Sequence, residues 1–154
     1  MNVLRIVALE PDDLGVISAH MQDAIIRIAD INYNSKLRQF VLVANRFEGE
    51  QAESSIIGQV GHIGHRRRTG ISFSQVRNVR SLNIRQGADD AVLSLLAVEF
   101  VAGKTAPDGV VKLVFSGGGS IELDVECVEA QMEDLGPRWA TANIPAHEMT
   151  QDQE

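Results

Sequence analysis

The sequence predicts an α+β fold class that is mainly antiparallel β, a curled sheet or split barrel with two short helices. Most apolar segments alternate with polar residues at the two-residue period of a strand, and segments rich in Gly, Asn and Ser separate them. Hydrophobic residues are 44% and charged residues 23% of the chain, as in globular proteins. Because aromatic residues are only 5%, we expect an aliphatic core.

The amino-terminal segment predicts a strand followed by a helix. Residues 3–9 are mostly apolar and suit the strand. Residues 10–13, Glu-Pro-Asp-Asp, are typical of a helix amino terminus, so we expect a helix that begins there and runs toward residue 21. The side chains expected on its buried face are Leu14, Ile17, Ser18 and Met21.

The next segments predict a hairpin and then a long loop. Residues 24–33 and 40–47 are rich in β-branched and aromatic residues, and residues 34–36 between them favour a turn. We therefore expect two paired strands. Residues 48–68 show no periodicity and include Gly58, Gly61 and Gly64, which predicts a long loop.

Two extended segments follow this loop. Residues 71–84 alternate at first and then continue as a run that carries arginines. Residues 91–101 are almost continuously apolar, which suits a central strand buried on both faces, although a short helix at its start fits equally well.

The carboxyl-terminal part predicts a second hairpin and a closing helix. Residues 111–115 and 123–127 alternate, and residues 116–120 between them favour a turn. Residues 128–135 predict a short helix that ends at Gly136-Pro137. A meander of strands closed by such a helix loosely resembles the pleckstrin-homology-like architecture.

The length and composition predict one domain over residues 1–141 and a polar, disordered tail over residues 142–154. No apolar run approaches the ~20 residues of a membrane span, and the first residues become acidic too early for a signal peptide. We therefore expect a cytoplasmic protein without membrane contact. The lone Cys127 excludes an intramolecular disulfide, which fits a reducing compartment.

Three motifs resemble catalytic or metal sites, but each has a simpler interpretation. Residues 117–119 are glycines before a strand, which favours a hairpin turn over a phosphate-binding loop. Acidic neighbours disfavour a reactive thiolate at Cys127, which we expect to be buried. His62 and His65 supply only two imidazoles beside arginines that repel a cation. We predict no catalytic residue, cofactor or metal.

One segment departs from the acidic character of the chain. No acidic residue lies between Glu53 and Asp89, and the arginines of this stretch give it a charge of +6, which leaves −13 elsewhere because the net charge is −7. Arg suits carboxylate or phosphate recognition because its planar guanidinium binds bidentately. The candidate binding residues are Arg66, Arg67, Arg68, Arg77, Arg80 and Arg85. Alternatively, these arginines are a solvated edge that pairs with the protein's own acidic residues 122–129.

Two classes of function fit this pattern. The first is a non-enzymatic binding or protein-interaction module that uses the Arg-rich surface to hold an acidic protein or a second copy of the chain. The second is recognition of a phosphorylated ligand or nucleic acid by the same arginines. The net charge of −7 and the few aromatic residues disfavour general nucleic-acid binding. An enzyme ranks third, because no set of groups with matched catalytic roles is visible.

Four stretches of the sequence resemble a known family: DLGVISAHMQDAIIRIAD, RRRTGISFSQVRNVRS, LLAVEF and FSGGGSIELDVECVEAQMEDLGPRWAT. Together they are similar to domain-of-unknown-function family 2948, which occurs mainly in alphaproteobacteria. The resemblance runs from near the amino terminus to about residue 141, and DVECVEAQMEDLGPRWAT is its most specific part. It implies a small cytoplasmic bacterial protein with no established activity or ligand, so it assigns no functional residue.

Overall fold

The computed structural model describes residues 3–54, 60–85, 90–137 and 139–141, which contain one α-helix and eleven strands. The predicted tail, 142–154, lies outside the described residues. Two 3-10 turns, Ile28–Asp30 and Ser116–Gly118, complete these elements. In chain order the helix and strands are β1 Arg5–Ala8, α1 Asp13–Met21, β2 Ile25–Arg27, β3 Ile31–Asn34, β4 Gln39–Ser54, β5 Val60–Phe73, β6 Val76–Leu82, β7 Val92–Ala102, β8 Gly109–Phe115, β9 Ser120–Val125, β10 Ala130–Asp134 and β11 Trp139–Thr141.

All strand pairs described are antiparallel, which confirms the mainly antiparallel β class. The strand order is β1-β10-β5-β4-β2-β7-β8-β9-β6, with β3 added on β4 and β11 on β5. The predicted curled sheet or split barrel is wrong, because the sheet is neither closed nor strongly curled. The pleckstrin-homology-like comparison fails with it, since the described residues provide no closing helix.

The predicted closing helix over residues 128–135 is the strand β10, which lies between β1 and β5. Ala130, Met132 and Asp134 point inward in strict alternation, a two-residue period that short segments do not distinguish clearly from a helical one. The segment therefore widens the sheet instead of covering it.

The predicted loop over residues 48–68 is also wrong, because β4 and β5 pair continuously from Ser54↔Val60 to Phe40↔Phe73 apart from a bulge after Phe47. Arg66 and Arg67 are buried in this hairpin, although arginines in a sequence are usually expected to be exposed to solvent. Charged residues at buried positions hide the apolar alternation that identifies a strand, which explains the error.

The helix α1 and, in part, the two shorter hairpins confirm their predictions. Leu14, Ile17 and Met21 are fully buried, and the Ser18 hydroxyl accepts a 2.9 Å hydrogen bond from the Val98 backbone N–H. The pair β8–β9 is the second hairpin expected from its turn segment. The first hairpin is confirmed only for β3 and β4, because a 3-10 turn divides residues 24–33 into β3 and β2, and β2 pairs mainly with β7. In the part of the chain that is described, no helix is long and apolar enough to span a bilayer.

Two predictions about burial in the carboxyl-terminal half are wrong. In β7 only Leu95 and Val98 are fully buried, so this strand is not covered on both faces. Cys127 is half-buried instead of buried, because β9 ends at Val125 and the chain bends before it reaches the thiol.

The core lies on the inner face of the sheet, under α1. Phe40 and Phe73 sit opposite each other on β4 and β5 with ring centroids 6.3 Å apart, and they anchor the middle of this core. The opposite face of β4, β5 and β10 carries Val41, Val43, Arg68 and Leu135, which are partly or fully exposed. We call it the outer face, and it is where the candidate site lies.

Candidate functional site

The six arginines predicted to form one binding surface do not converge. Arg66 and Arg67 are buried in the β4–β5 hairpin, and Arg77 and Arg80 lie on the edge strand β6. Arg68 is exposed on the outer face. The remaining member of the set, Arg85, is exposed after the end of β6.

Arg66 makes its contacts with groups inside the protein. Its Nη1 donates hydrogen bonds of 3.0 Å to the backbone carbonyls of Asp23 and Asn45, and its guanidinium lies 5.4 Å from the centroid of the Phe47 ring. Burial lowers the pKa of Arg66 from its ordinary value, although the charge of Asp23 opposes this change. Through these contacts Arg66 links β5 to β4 and to the segment that follows α1.

Arg67 belongs to a group of four charged side chains that we call the buried ion cluster: Arg46, Glu48, Arg67 and Asp134. Arg46 and Arg67 are direct cross-strand partners on β4 and β5, a pairing of like charges that is unfavourable by itself. Both contact the two carboxylates: Glu48 Oε2 lies 3.3 Å from Arg46 Nη2 and from Arg67 Nε. The charges of the cluster therefore balance.

Asp134 is the centre of the cluster and its side chain is fully buried. It accepts hydrogen bonds from Arg46 Nε and Nη2 at 2.9 Å, from the Leu4 N–H at 2.9 Å and from Thr69 Oγ1 at 2.8 Å. Burial alone would raise the pKa of this carboxyl. The hydrogen bonds from Arg46, Leu4 and Thr69 and the charge of Arg46 outweigh burial and lower the pKa of Asp134 to about 2.

Arg77 and Arg80 pair with acidic residues of the neighbouring strand β9. Arg77 Nη2 lies 2.9 Å from Asp124 Oδ1, and Arg80 Nη2 lies 2.6 Å from Glu122 Oε1. The hydrogen bond to Asp124 raises the pKa of Arg77 above its ordinary value. These two arginines therefore behave as the alternative interpretation expects, as a basic edge paired with the protein's own acids.

Reversing the charge at Asp124 should leave the fold intact. Asp124 and Arg77 are both well exposed, and exposed ion pairs contribute little to stability. We expect Asp124→Lys to unfold in urea as cooperatively as the wild type and at nearly the same midpoint. A loss of cooperativity would contradict the outward orientation of Asp124.

Arg68 lies in a different setting, on one wall of a polar groove of about 370 Å³ on the outer face. Asn45 is its cross-strand partner on β4, and Ile25 of β2 is paired with Asn45 in turn. Arg27 and Asp30 line the same groove and form an ion pair of 3.3 Å. We call the set of Arg27, Asp30, Asn45 and Arg68 the basic groove.

The guanidinium of Arg68 is exposed at the groove wall. Within residues 3–54, 60–85, 90–137 and 139–141, no carboxylate forms an ion pair with it. The two guanidiniums and the single carboxylate of Asp30 give the basic groove a net charge of +1. The groove can therefore hold one carboxylate through bidentate hydrogen bonds from an arginine and through the Asn45 amide.

A second, apolar groove of about 190 Å³ adjoins the basic groove on the outer face. Val43 lines both, and the Leu135 side chain packs over Gly70, the cross-strand partner of Val43. Val41 and Leu135 form its sides and are 36% and 54% exposed. Three polar side chains also line this groove: Ser72, Gln131 and Glu133. The outer face therefore places a mainly apolar surface that includes one carboxylate beside the basic groove. We call the set of Val41, Val43, Gly70 and Leu135 the apolar groove.

Sequence reasoning missed six of the residues that define the buried ion cluster and the basic groove: Arg27, Asp30, Asn45, Arg46, Glu48 and Asp134. One signal could have identified two of them. Arg46 continues the inward alternation of Phe40, Leu42 and Ala44, so it required a buried acid. Asp134 continues the alternation of Ala130 and Met132 and would have supplied it, if residues 130–134 had been interpreted as a strand.

The described side chains include no candidate metal site. No set of three or more His, Cys, Asp or Glu residues in the described part of the chain is arranged to hold a metal ion. The side chain of His62 lies outside the described residues, so the HxxH motif stays as the sequence left it. Over its described residues the protein is thus an open antiparallel β sheet with one helix and two adjoining grooves on its outer face.

The chain belongs to the family DUF2948, described as "Protein of unknown function (DUF2948)", whose sequence model matches residues 4–147. This confirms the resemblance seen in the sequence. Comparisons with curated proteins and with solved structures give no significant match. The family leaves the activity open, so a proposal for function depends on the geometry of the outer face.

Proposed function

We propose that this protein is a non-enzymatic, cytoplasmic interaction module that holds an acidic segment of a partner protein in the basic groove. The observation that carries the proposal is Arg68, an exposed arginine that lines the same polar groove as Arg27. Of the six arginines predicted to bind, it is the one that lines this groove.

The charge of the basic groove favours a carboxylate over a phosphate. Asp30 neutralises part of the positive charge, so the net +1 matches a single carboxylate better than a phosphate group of charge about −2. Among the described residues that line the basic groove there is also no aromatic side chain on which a base could stack. A phosphorylated ligand or nucleic acid is therefore the weaker alternative.

Replacing Arg68 with Ala should abolish most of the binding. We expect the acidic peptide Glu-Ser-Leu-Ser-Glu to shift the amide resonances of Asn45 and Arg68 in the wild type, with an affinity that falls as salt is raised. Arg68→Ala should weaken this binding about tenfold or more, because a charge-assisted hydrogen bond contributes about 1.5–3 kcal/mol. The measurement is an NMR titration at two salt concentrations.

Arg85→Ala is the matched control, since Arg85 is also exposed but lies outside the groove. It should bind the peptide as the wild type does. A joint replacement of residues 66–68 is unsuitable, because Arg66 and Arg67 are buried and their loss would disturb the fold. Equal binding by Arg68→Ala and wild type would contradict the proposal. Tighter binding of inorganic phosphate at the same residues would favour the phosphorylated ligand instead.

A further inference from the structure

We infer that β1 is a dimerisation edge, along which two copies of the chain pair antiparallel with Arg5 of each copy opposite Val7 of the other. This surface is separate from the basic groove, because β10 lies between β1 and the strand β5 that carries Arg68. The inference therefore goes beyond the proposed function and does not depend on it.

The free side of β1 presents backbone hydrogen-bonding groups. β1 ends the strand order, and no described strand pairs with its second side. The Asp134 N–H donates a 3.0 Å hydrogen bond to the Leu4 carbonyl, which fixes the alternation of the β1–β10 ladder. Residues 4, 6 and 8 therefore point their N–H and C=O groups toward β10, and Arg5 and Val7 point theirs away from the sheet. A further antiparallel strand can bond to these four groups.

The two ends of the strand order differ in their protection against such pairing. Most exposed side chains of the other end strand, β6, are polar or charged, which discourages the addition of a strand. These are Arg77, Asn78, Arg80 and Ser81. At β1 the exposed side chains are mainly apolar, since Val3, Val7 and Leu9 are 47%, 53% and 63% exposed. Its charged residue Arg5 has Glu133 as cross-strand partner. Exposed apolar surface thus lies along the less protected edge.

A second copy is the occupant because β1 is complementary to itself in one register. Three two-fold registers bring the outward backbone groups of two β1 strands together, centred on residue 5, 6 or 7. The first puts Arg5 directly opposite itself, a destabilising pair of like charges. The last needs the Leu9 N–H, which already donates to Asp13 Oδ2 at 3.1 Å. The register centred on residue 6 uses all four groups of each copy, and it places Val3 of one copy opposite Leu9 of the other.

The short length of β1 predicts a weak dimer. Its four residues, Arg5–Ala8, form an interface at the low end of the size range, so we expect a Kd on the order of 0.1–1 mM. Both copies carry a net charge of −7 and repel each other. Dimerisation should therefore strengthen as salt is raised, whereas peptide binding at Arg68 should weaken.

Two substitutions at one exposed position test the register. Val7→Glu places a carboxylate opposite Arg5 of the second copy, and Val7→Lys places a like charge there. Because the two-fold axis repeats each pair, Val7→Glu should dimerise about tenfold more tightly than Val7→Lys in sedimentation equilibrium. The general repulsion between acidic chains predicts the reverse order, since Val7→Lys makes the chain less negative. Leu82→Glu and Leu82→Lys on β6 are the matched controls and should follow this general repulsion alone.

A disulfide at the two-fold axis tests the pairing independently of charge. In the inferred register Ile6 faces itself in a non-hydrogen-bonded pair, whose Cα atoms are about 4.5 Å apart and within reach of a disulfide. With Cys127→Ser as background, we expect Ile6→Cys to form a cross-linked dimer under mild oxidation. Val7→Cys is the control, because the two residues at position 7 are then more than about 7 Å apart.

Three results would overturn the inference. The first is a wild type that stays monomeric up to about 1 mM protein. The second is equal dimerisation of Val7→Glu and Val7→Lys, which would place the contact on another surface. The third is cross-linking of Val7→Cys in preference to Ile6→Cys, which would indicate another register. None of these results changes the peptide titration at Arg68, so the proposed function is tested separately.

Discussion

Replacing Asp134 with Asn should lower the free energy of unfolding by about 3–5 kcal/mol, the usual cost of leaving a buried charge without its partner. Asp134 balances Arg46 and Arg67, whose side chains are 5% and 7% exposed. In addition, an Asn amide would put two more N–H donors next to the N–H groups of Leu4 and Arg46, where the carboxylate accepts hydrogen bonds. Urea unfolding followed by circular dichroism measures the change.

Asp124→Asn is the control for Asp134→Asn, because Asp124 makes the same kind of arginine pair at the surface. It should shift the unfolding midpoint little. If the two variants lose similar amounts of stability, the buried ion cluster contributes no more than a surface pair, and the account of its role given above is wrong.

The stability contribution of Asp134 should depend on pH in the acid range alone. Its pKa is about 2 in the folded protein, below the ordinary value of 3.8, so the folded state favours the ionised form. The contribution is therefore present above about pH 4 and is lost as pH falls from 4 toward 2, by about 2 kcal/mol. The stability difference between wild type and Asp134→Asn should shrink in that window and stay constant from pH 5 to 7.

The parts of the fold that the sequence predicts are those in which neighbouring residues carry the signal. The β8–β9 hairpin combines strict alternation with a turn of glycines and serines, and α1 has an acidic start and one apolar face. Both signals are local. The strands β5 and β10 lack such signals, because Arg66, Arg67 and Asp134 occupy buried positions where the alternation rule expects apolar side chains.

The sequence also predicts the candidate site only in part, for a different reason. The acid-free arginine stretch is visible in the sequence, but its residues divide between two faces of β5 and a separate strand. Arg67 meets Asp134 only because β10 pairs with β5, a contact between distant parts of the chain. Arg27, on β2, likewise joins Arg68 only through the pairing of β2, β4 and β5. The sequence therefore shows that this stretch is rich in arginine, but it does not show which of these arginines are buried.

Replacing Gly109 with Ala should cost about 1–3 kcal/mol of stability, the usual effect of overpacking a core. Gly109 is buried at the start of β8, where a Cβ would lie against the Phe100 ring and 2.5 Å from the carbonyl oxygen of Val101. The ring can turn aside, but the carbonyl belongs to the backbone of the paired strand β7, so relief requires the two strands to separate. Urea unfolding of the variant and wild type measures the cost.

Gly15→Ala is the matched control for Gly109→Ala, since Gly15 is exposed in α1 and a Cβ there would meet no atom within 4 Å. Alanine in a helix is more favourable than glycine by about 0.5–1 kcal/mol, so this variant should gain stability. The two Gly→Ala changes then alter the free energy of unfolding in opposite directions. The cause in both cases is the space available to a single methyl group. If Gly109→Ala is as stable as the wild type, β7 and β8 yield easily, and the close approach of Phe100 and Val101 to Gly109 does not constrain the β7–β8 pair.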